Sequence, residues 1–503
     1  MTLYWFRIGL VAVITCATGL AEAIAATHNP APFSVLALST NDRVLVMAPH
    51  PDDGSLACGG IIQTTAERHI PVRVVFFTYG DNNQWSFVLY RKHPVLESKA
   101  VEGMGLMRHG EAIQATRLLG LAENQLTFLG YPDFGTLTIW NTCWGAHPPY
   151  KSMLTKTMAV PYANAFRPGA RHTGEDILQD LTAILRDFKP TKIFLSHPAD
   201  HNPDHRALYL FMRVALWNLE SELRPEVEPR RLGTLQGSHA VCFALRNSTA
   251  VNPYWHPELL PYLTHFQRWP QPQGLYTTKP LEPPDIMRQA AAWSLFPLGS
   301  NQVSVKLAAL KAHESQFRYA GKYLSSFVRQ NELFGDLPAI NLKAPHDLNP
   351  DAPAPIDATP DLPDELTAEE RDAYTGVEWN FARREGDSLV LAINVSRPLV
   401  KTVEAEVNIF GYRPDCPFPE MPKLRIGLGE LNHKVMDGLR RLDDNTVSVT
   451  YRNKSISLRV PLAALGNPDR ILISAHTSRA EVPFDWVAWR ILIVSTDQAA
   501  RKP

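Results

Sequence analysis

The stretch VLVMAPHPDDGSLACGG, Val44 to Gly60, decides how the chain is read. Val44 to Ala48 is an apolar run that stops at His50-Pro51-Asp52-Asp53, and the small residues Gly54 to Gly60 follow. That pattern is a buried strand, a polar turn and a helix. In parallel α/β sheets ligands gather at the carboxyl ends of the strands, where this turn lies. His50 and Asp53, three residues apart on one turn, reach a single metal ion. Zinc suits nitrogen and oxygen donors, and a catalytic zinc takes three protein ligands and a water. A third ligand must then come from elsewhere in the chain.

The stretch SHPADHNPDHRALY, Ser196 to Tyr209, supplies it. It follows the apolar segment Lys192–Leu195 and so sits at the end of a second strand. His205, at the start of a helix, is the natural third ligand. HPDD alone is a weak motif; a second His/Asp cluster behind another strand is what turns it into a metal site.

Working outward, strand and helix alternate from Arg43 to about Gly335. Strands are expected at Arg43–Ala48, Val72–Phe77, Leu126–Leu129, Lys192–Leu195 and Ala240–Leu245. Helices are expected at Ser55–Arg68, Gly105–Leu119, Gly174–Phe188, Asp204–Leu223 and Val303–Asn331. The fold class is α/β, a Rossmann-like, mostly parallel sheet with helices on both faces, spanning residues 35–335. Trp140 to Arg171 reads as a long irregular segment, either a binding wall or decoration. Residues 336–375 read as a proline-rich linker, with a short helix in DELTAEERDAY. From 376 to 498, short strands at turn-punctuated spacing indicate a second domain, an all-β sandwich.

The chain has 503 residues, a formal net charge of −1, 45% hydrophobic and 20% charged residues. No basic excess marks a nucleic-acid or anionic-membrane partner. Arg7, the apolar run IGLVAVITCATGL and the small residues AEAIAA read as a secretory signal over residues 1–26. The run is short for a membrane span of about 20 residues, so no stable insertion is expected after cleavage. The expected location is periplasmic or extracellular. Cys58, Cys143, Cys242 and Cys416 remain beyond the signal, and the sequence assigns no disulfide among them.

These motifs resemble the LmbE-like, or PIG-L, N-acetylglucosaminyl deacetylases. The turn after the first strand, FFTYGDN, RHGEAIQATRLLGL, FLGYPDFG, the downstream cluster ending in Asp204-His205 and the late KLAALKAHESQ occur in the family's order. The resemblance implies Zn2+, or another divalent transition metal, on His50, Asp53 and His205, with Asp52 as general base. It implies an N-acetylated glycan or amino sugar as substrate, contacted by Arg108 and Asp133. Asp81, Asn82, Asn83 and Trp85, after the second strand, are further candidates to line the pocket, and Trp85 and Trp144 are candidates to stack on a sugar face, with buried packing the alternative for each.

Two positions depart from the family. Asn202 stands where a histidine is usual, and asparagine cannot deliver a proton at neutral pH. Either His201 turns inward or a distant histidine, with His265 preferred, takes that role. Gly54 stands where glutamate is usual, which implies altered bonding around the ligands rather than loss of zinc. The rival readings are a carbohydrate-binding protein on an inactive scaffold and a zinc amidase or esterase with a non-sugar substrate. The β-rich segment, with Asp485, Trp486, Trp489 and Arg490, resembles carbohydrate-binding sandwiches; packing against the enzyme is the alternative.

Overall fold

The computed structural model describes residues 33–82, 97–223, 255–342, 367–480 and 482–494. The signal segment, Asn83, Trp85, the expected strand Ala240–Leu245, Cys242 and the prolines of 343–363 lie outside these residues.

Five strands form the central sheet: β1 (Val44–Ala48), β2 (Val72–Thr78), β3 (Leu126–Tyr131), β4 (Lys192–Ser196) and β5 (Glu258–Tyr262). All pair in parallel, in the order β3-β2-β1-β4-β5. Every residue of β1 is buried, as the continuous apolar run requires of a strand covered on both faces. The order reverses between β1 and β4. That is the topological switch point of a doubly wound fold, where a crevice opens at the carboxyl ends. The two His/Asp clusters leave the sheet on the two sides of this crevice. β5 carries ELLPY, and its proline hid it from a search for β-branched runs.

Helix α1 (Asp53–Glu67) follows the HPDD turn and breaks at Cys58, whose φ of −126° and ψ of 17° are not helical. The small residues explain this. A Cβ on Gly60 would come within 2.1 Å of Leu298 Cδ2. Glu332 accepts the Gly60 and Ile61 N–H groups at 2.7 and 3.1 Å, and Lys306 pairs with it at 2.7 Å in a fully buried ion pair. The carboxylate thus replaces the helix carbonyls lost at the break.

Helices α2 (Ser98–Leu118), α3 (Thr136–Thr142), α4 (Gly174–Phe188) and α5 (Pro203–Leu223) come next. Thr173 caps α4 by accepting the Asp176 N–H. The single helix expected at Val303–Asn331 is instead two, α6 (Ser300–Ala312) and α7 (Glu314–Ser325), and Asn331 begins a strand. The break lies at His313. Glu111 of α2 accepts Ser315 N–H at 2.7 Å and Ser315 Oγ–H at 2.6 Å, which anchors the first turn of α7 separately. α1, α2 and α6 pack together, and α3, α4 and α5 form the other group. The strands Ala292–Pro297 and Asn331–Asp336 form an antiparallel pair beside them.

The C-terminal region consists of two mainly antiparallel sheets. One orders Val377–Glu385, Ser388–Val395, Ser455–Pro461 and Ser448–Arg452. The other centres on Glu404–Tyr412 and Arg470–Arg479, with Lys423–Leu428 and His433–Asp437 on one side and Arg490–Val494 on the other. Residues of both sheets, Leu391 and Leu458 with Ile409 and Ile426, share one buried core. Ile340–Leu342, inside the expected linker, joins the second sheet as a parallel edge strand on Arg490–Val494. The described residues from Val35 onward form one compact unit. The short helix Ala368–Ala373 carries a reciprocal cap between Thr367 and Glu370.

Candidate metal centre and active site

At the carboxyl end of β1 the turn is tied to β2: the Pro49 carbonyl accepts both the N–H and the Oγ–H of Thr78, each at 3.0 Å. The Cα of Gly54 faces the strands, and a Cβ there would meet Val74, Ala48 and Val46 at 3.6 to 4.0 Å. Position 54 is therefore apolar lining under the turn, and a glutamate side chain would enter the sheet interior.

Three donor atoms converge between β1 and β4. His50 Nδ1 lies 3.1 Å from Asp53 Oδ2, His205 Nε2 lies 3.0 Å from the same oxygen, and the two nitrogens are 3.2 Å apart. A tetrahedral ion with bonds of about 2.0 Å sets its ligand atoms about 3.3 Å apart. The triangle has that size. Each imidazole also holds a carboxylate on its other nitrogen. His50 Nε2 is 3.1 Å from Asp133 Oδ1 and 3.3 Å from Asp204 Oδ2, and His205 Nδ1 is 3.3 Å from Asp200 Oδ2. This is the carboxylate–histidine–metal arrangement that fixes ring orientation and tautomer. The donor set of two nitrogens and one oxygen fits zinc.

Charge makes the same demand. Asp53, Asp133, Asp200 and Asp204 are all buried around the two imidazoles. Burial works against a charge on His50, but Asp133, Asp204 and Asp53 overcome it and raise its pKa well above the ordinary value. Burial opposes the charge on His205 too, and Asp200 and Asp53 raise its pKa to about 9. Burial would push Asp53 up, yet His205 and His50 hold it well below the carboxylate range. Four buried carboxylates thus draw positive charge onto two nitrogens that face each other, the place where a divalent cation relieves the imbalance.

An open cavity of about 430 Å³ lies against the triangle, lined by His50, Asp52, Arg108, Asn202, His265 and Tyr319 among others. Asp52 Oδ1 accepts from Arg108 Nη2 at 3.0 Å, and Arg108 Nη1 donates to the Gly80 carbonyl at 2.7 Å. Gly80 has a positive φ of 64°, and a Cβ there would collide with the guanidinium at 2.0 Å. Arg108, expected at the sugar, is thus buried at the cavity wall, where its guanidinium holds the Asp52 carboxylate and the Gly80 carbonyl. Asp133, also expected at the sugar, lines the cavity but has both oxygens engaged, one by His50 and one by the Asn82 N–H at 3.0 Å.

Two expected residues are not at the site. Asp81 accepts the Tyr162 hydroxyl at 2.6 Å behind the cavity, and its neighbour Asn82 lines the wall instead. His201 turns away: its ring packs 4.9 Å from that of Phe266 and edge-on to Trp486 of the C-terminal region. The distant histidine does come in. The His265 ring centroid is 4.7 Å from that of His205, and its nitrogen falls within the same donor group as the triangle. Asn202 lines the cavity while its Oδ1 accepts the Asp204 N–H at 2.8 Å, capping α5. That leaves the amide nitrogen as the group able to donate.

Asn82, a candidate from the sequence, does line the cavity wall; sequence reasoning gave no pocket role to Gln316, Tyr319 or Phe134, and no supporting role to Asp200 and Asp204. Asp204 was visible as the acid next to a predicted ligand. Gln316 and Tyr319 were hidden by the helix break at His313.

Fold and site together define a doubly wound α/β domain with a two-histidine, one-aspartate constellation at its switch point. Residues 45–216 match the family model described as PIG-L: GlcNAc-PI de-N-acetylase. The chain is 26% identical over 223 residues to a probable N-acetyl-alpha-D-glucosaminyl L-malate deacetylase 2 of Bacillus anthracis, covering 42% of this chain and 88% of that one. It is 28% identical over 177 residues to a 1D-myo-inositol 2-acetamido-2-deoxy-alpha-D-glucopyranoside deacetylase 1 of Saccharopolyspora erythraea, covering 34% of this chain and 52% of that protein. Among solved structures it is similar to the N,N'-diacetylchitobiose deacetylase from Pyrococcus horikoshii, at 18% identity and a TM-score of 0.33, over 58% of this chain and 82% of that one. Among the described residues, no helix is long and apolar enough to cross a membrane.

Proposed function

We propose that this protein is an exported, zinc-dependent hydrolase that removes the acetyl group from an N-acetylated amino sugar, within a cell-envelope or extracellular glycan. The observation that carries the reading is the triangle of His50, Asp53 and His205 with the unligated Asp52 beside it on an open cavity. The PIG-L match and the names of the two relatives support the acetamido sugar as substrate. The N-terminal charged and apolar segment supports export.

Bound at the triangle, zinc would acidify a water and polarise the amide carbonyl. Asp52, held by Arg108, takes the proton from the attacking water. The Asn202 amide N–H donates toward the oxyanion as it forms. His265 gives its proton to the leaving amine. Burial holds this imidazole below its ordinary pKa, so once protonated it releases the proton readily. The division of labour answers the missing histidine at position 202: hydrogen bonding stays there and proton delivery moves to β5's end.

The test is acetate release by the zinc-loaded protein from a panel of N-acetylglucosamine and N-acetylgalactosamine oligomers. Release from one class, reduced about 10²–10⁴-fold by D52N, is the expected result. Glycan binding without release would favour a binding protein on an inactive scaffold.

A further inference from the structure

Phe134 lines the catalytic cavity and neither holds the metal nor moves a proton. It follows Asp133 directly after β3. Its φ of 57° lies in the left-handed region, which bulky side chains seldom enter, and the residue is 51% exposed. Glycine or asparagine would take the same backbone with less strain, and a polar side chain would suit the solvent better. An outlier of this kind on the wall of an open cavity points to function.

The turn is held without the Phe134 ring. His50 Nε2 and the Asn82 N–H engage the two Asp133 oxygens, the Phe134 N–H donates to Asp204 Oδ2 at 2.6 Å, and the Gly135 N–H donates to the Pro132 carbonyl at 3.0 Å. Asp204 also accepts the Thr136 N–H at 3.3 Å and the Thr136 hydroxyl. Main-chain groups and neighbouring side chains therefore clamp residues 132–136 to the carboxylates beside His50. The clamp fixes where the ring stands, and the ring is not one of its ties.

Tyr319 of α7 brings a second ring to the same cavity and is 39% exposed. Its hydroxyl donates to Gln316 Oε1 at 2.6 Å, and Gln316 Nε2 donates to Ser315 Oγ at 3.1 Å, the hydroxyl that Glu111 anchors. Two exposed aromatic rings, each fixed from behind, thus stand in a cavity of about 430 Å³ whose other described lining residues are polar or ionisable. Polar groups suit an acetamide and hydroxyls, and aromatic rings suit an apolar ring face. A pyranose carries both, with C–H groups on its faces and hydroxyls at its edge. Rings already fixed in place lose little freedom when such a ligand binds.

We propose that Phe134 and Tyr319 are specificity-determining residues of this cavity: they take up the apolar face of a pyranose ring and so select a cyclic acetamido sugar over an acyclic N-acetyl amine. The inference rests on the reading of the cavity as a deacetylation site.

The test compares kcat/KM for methyl N-acetylglucosaminide with that for N-acetylglucosaminitol, which keeps the acetamide and the hydroxyls but has no ring. The wild type is expected to prefer the cyclic probe. F134N and Y319L are each expected to lower that preference about tenfold, through KM for the cyclic probe rather than kcat, whereas F134W and Y319F, which keep a ring, retain it. Substitution at position 134 leaves the N–H on Asp204, and asparagine accepts the left-handed backbone, so F134N is expected to match the wild type in zinc content and in thermal unfolding. An unchanged preference in either F134N or Y319L, or an equal loss of kcat on both probes, would overturn the proposal. If the wild type releases no acetate from either probe, the deacetylase reading fails by itself. Calorimetric titration of methyl N-acetylglucosaminide into the zinc-loaded protein then decides: weaker binding in F134N and Y319L than in the wild type supports the aromatic contacts, and unchanged or absent binding overturns them.

Discussion

At His205 the two ring nitrogens have different tasks: Nε2 faces Asp53 and His50, and Nδ1 faces Asp200, whose Oδ2 also accepts the Thr264 and His265 N–H groups at 3.0 Å. Asp200 therefore joins His205 to the end of β5 and to His265. D200N removes the charge that orients His205 and is expected to weaken zinc affinity about 10–100-fold, read by competition with a chelator of known affinity. Unchanged affinity would show that the Thr264 hydroxyl, 3.2 Å from His205 Nδ1, orients the ring without Asp200. The same scale shows how the sequence discloses ligands. His50 and Asp53 share one turn, and His205 stands in a second cluster behind a strand, so the three donors of the triangle were legible from local pattern. His201 and His265 were not separable that way. Which of two adjacent side chains turns toward a cavity depends on the path of the partition, which pairing across β4 and β5 sets.

At the scale of elements, helix α1 is held through its break at Cys58 by groups from other parts of the chain. Glu332 satisfies the two N–H groups exposed by the break, and Lys306 of α6 neutralises it, with both side chains 1% exposed. K306M leaves the carboxylate buried and unpaired and is expected to destabilise the protein by about 3–5 kcal/mol, read by urea unfolding. A loss under 1 kcal/mol would mean that the carboxylate is taken up in protonated form at no cost. Most elements were readable from period and caps: α4 falls at Gly174–Phe188 as expected, and β1 and β4 differ from expectation by one residue at one end. The break at His313 was not readable, because the groups that impose it, Glu111 and Ser55, come from distant helices. β5 was not readable either, because a buried edge position admits the proline in ELLPY.

At the scale of the whole molecule, the C-terminal sheets bear directly on the loop that leads into the helix bearing His205. The Trp489 N–H donates to the Pro198 carbonyl at 3.2 Å, and Trp140 of α3 stacks on Phe410 and Phe418 at 5.7 and 5.3 Å. Lys423 threads this seam, its Nζ bonded to the Phe418 and Met421 carbonyls and 4.8 Å over Trp144. Trp144, a candidate for stacking on sugar, is thus committed to packing. Asp485 gives the seam a pH signature. Burial raises its pKa to about 6 from 3.8, against two backbone N–H groups that lower it. A pKa raised by folding adds stability that is complete below the unfolded value and lost as pH rises through the folded one. The stability of the wild type relative to D485N is therefore expected to fall between about pH 4 and 6, measured by thermal unfolding across that range. A difference that is flat with pH would show that folding leaves the pKa of this carboxylate unshifted.

The central claim is that His50, Asp53 and His205 hold one zinc and that Asp52 acts beside it without holding it. The direct measurement is metal content and acetate release, in parallel, on the wild type, D53A and D52N. The account predicts one zinc per chain in the wild type and in D52N, little in D53A, and acetate release from the wild type alone. Zinc lost from D52N and kept by D53A would exchange the roles of the two carboxylates and contradict the account.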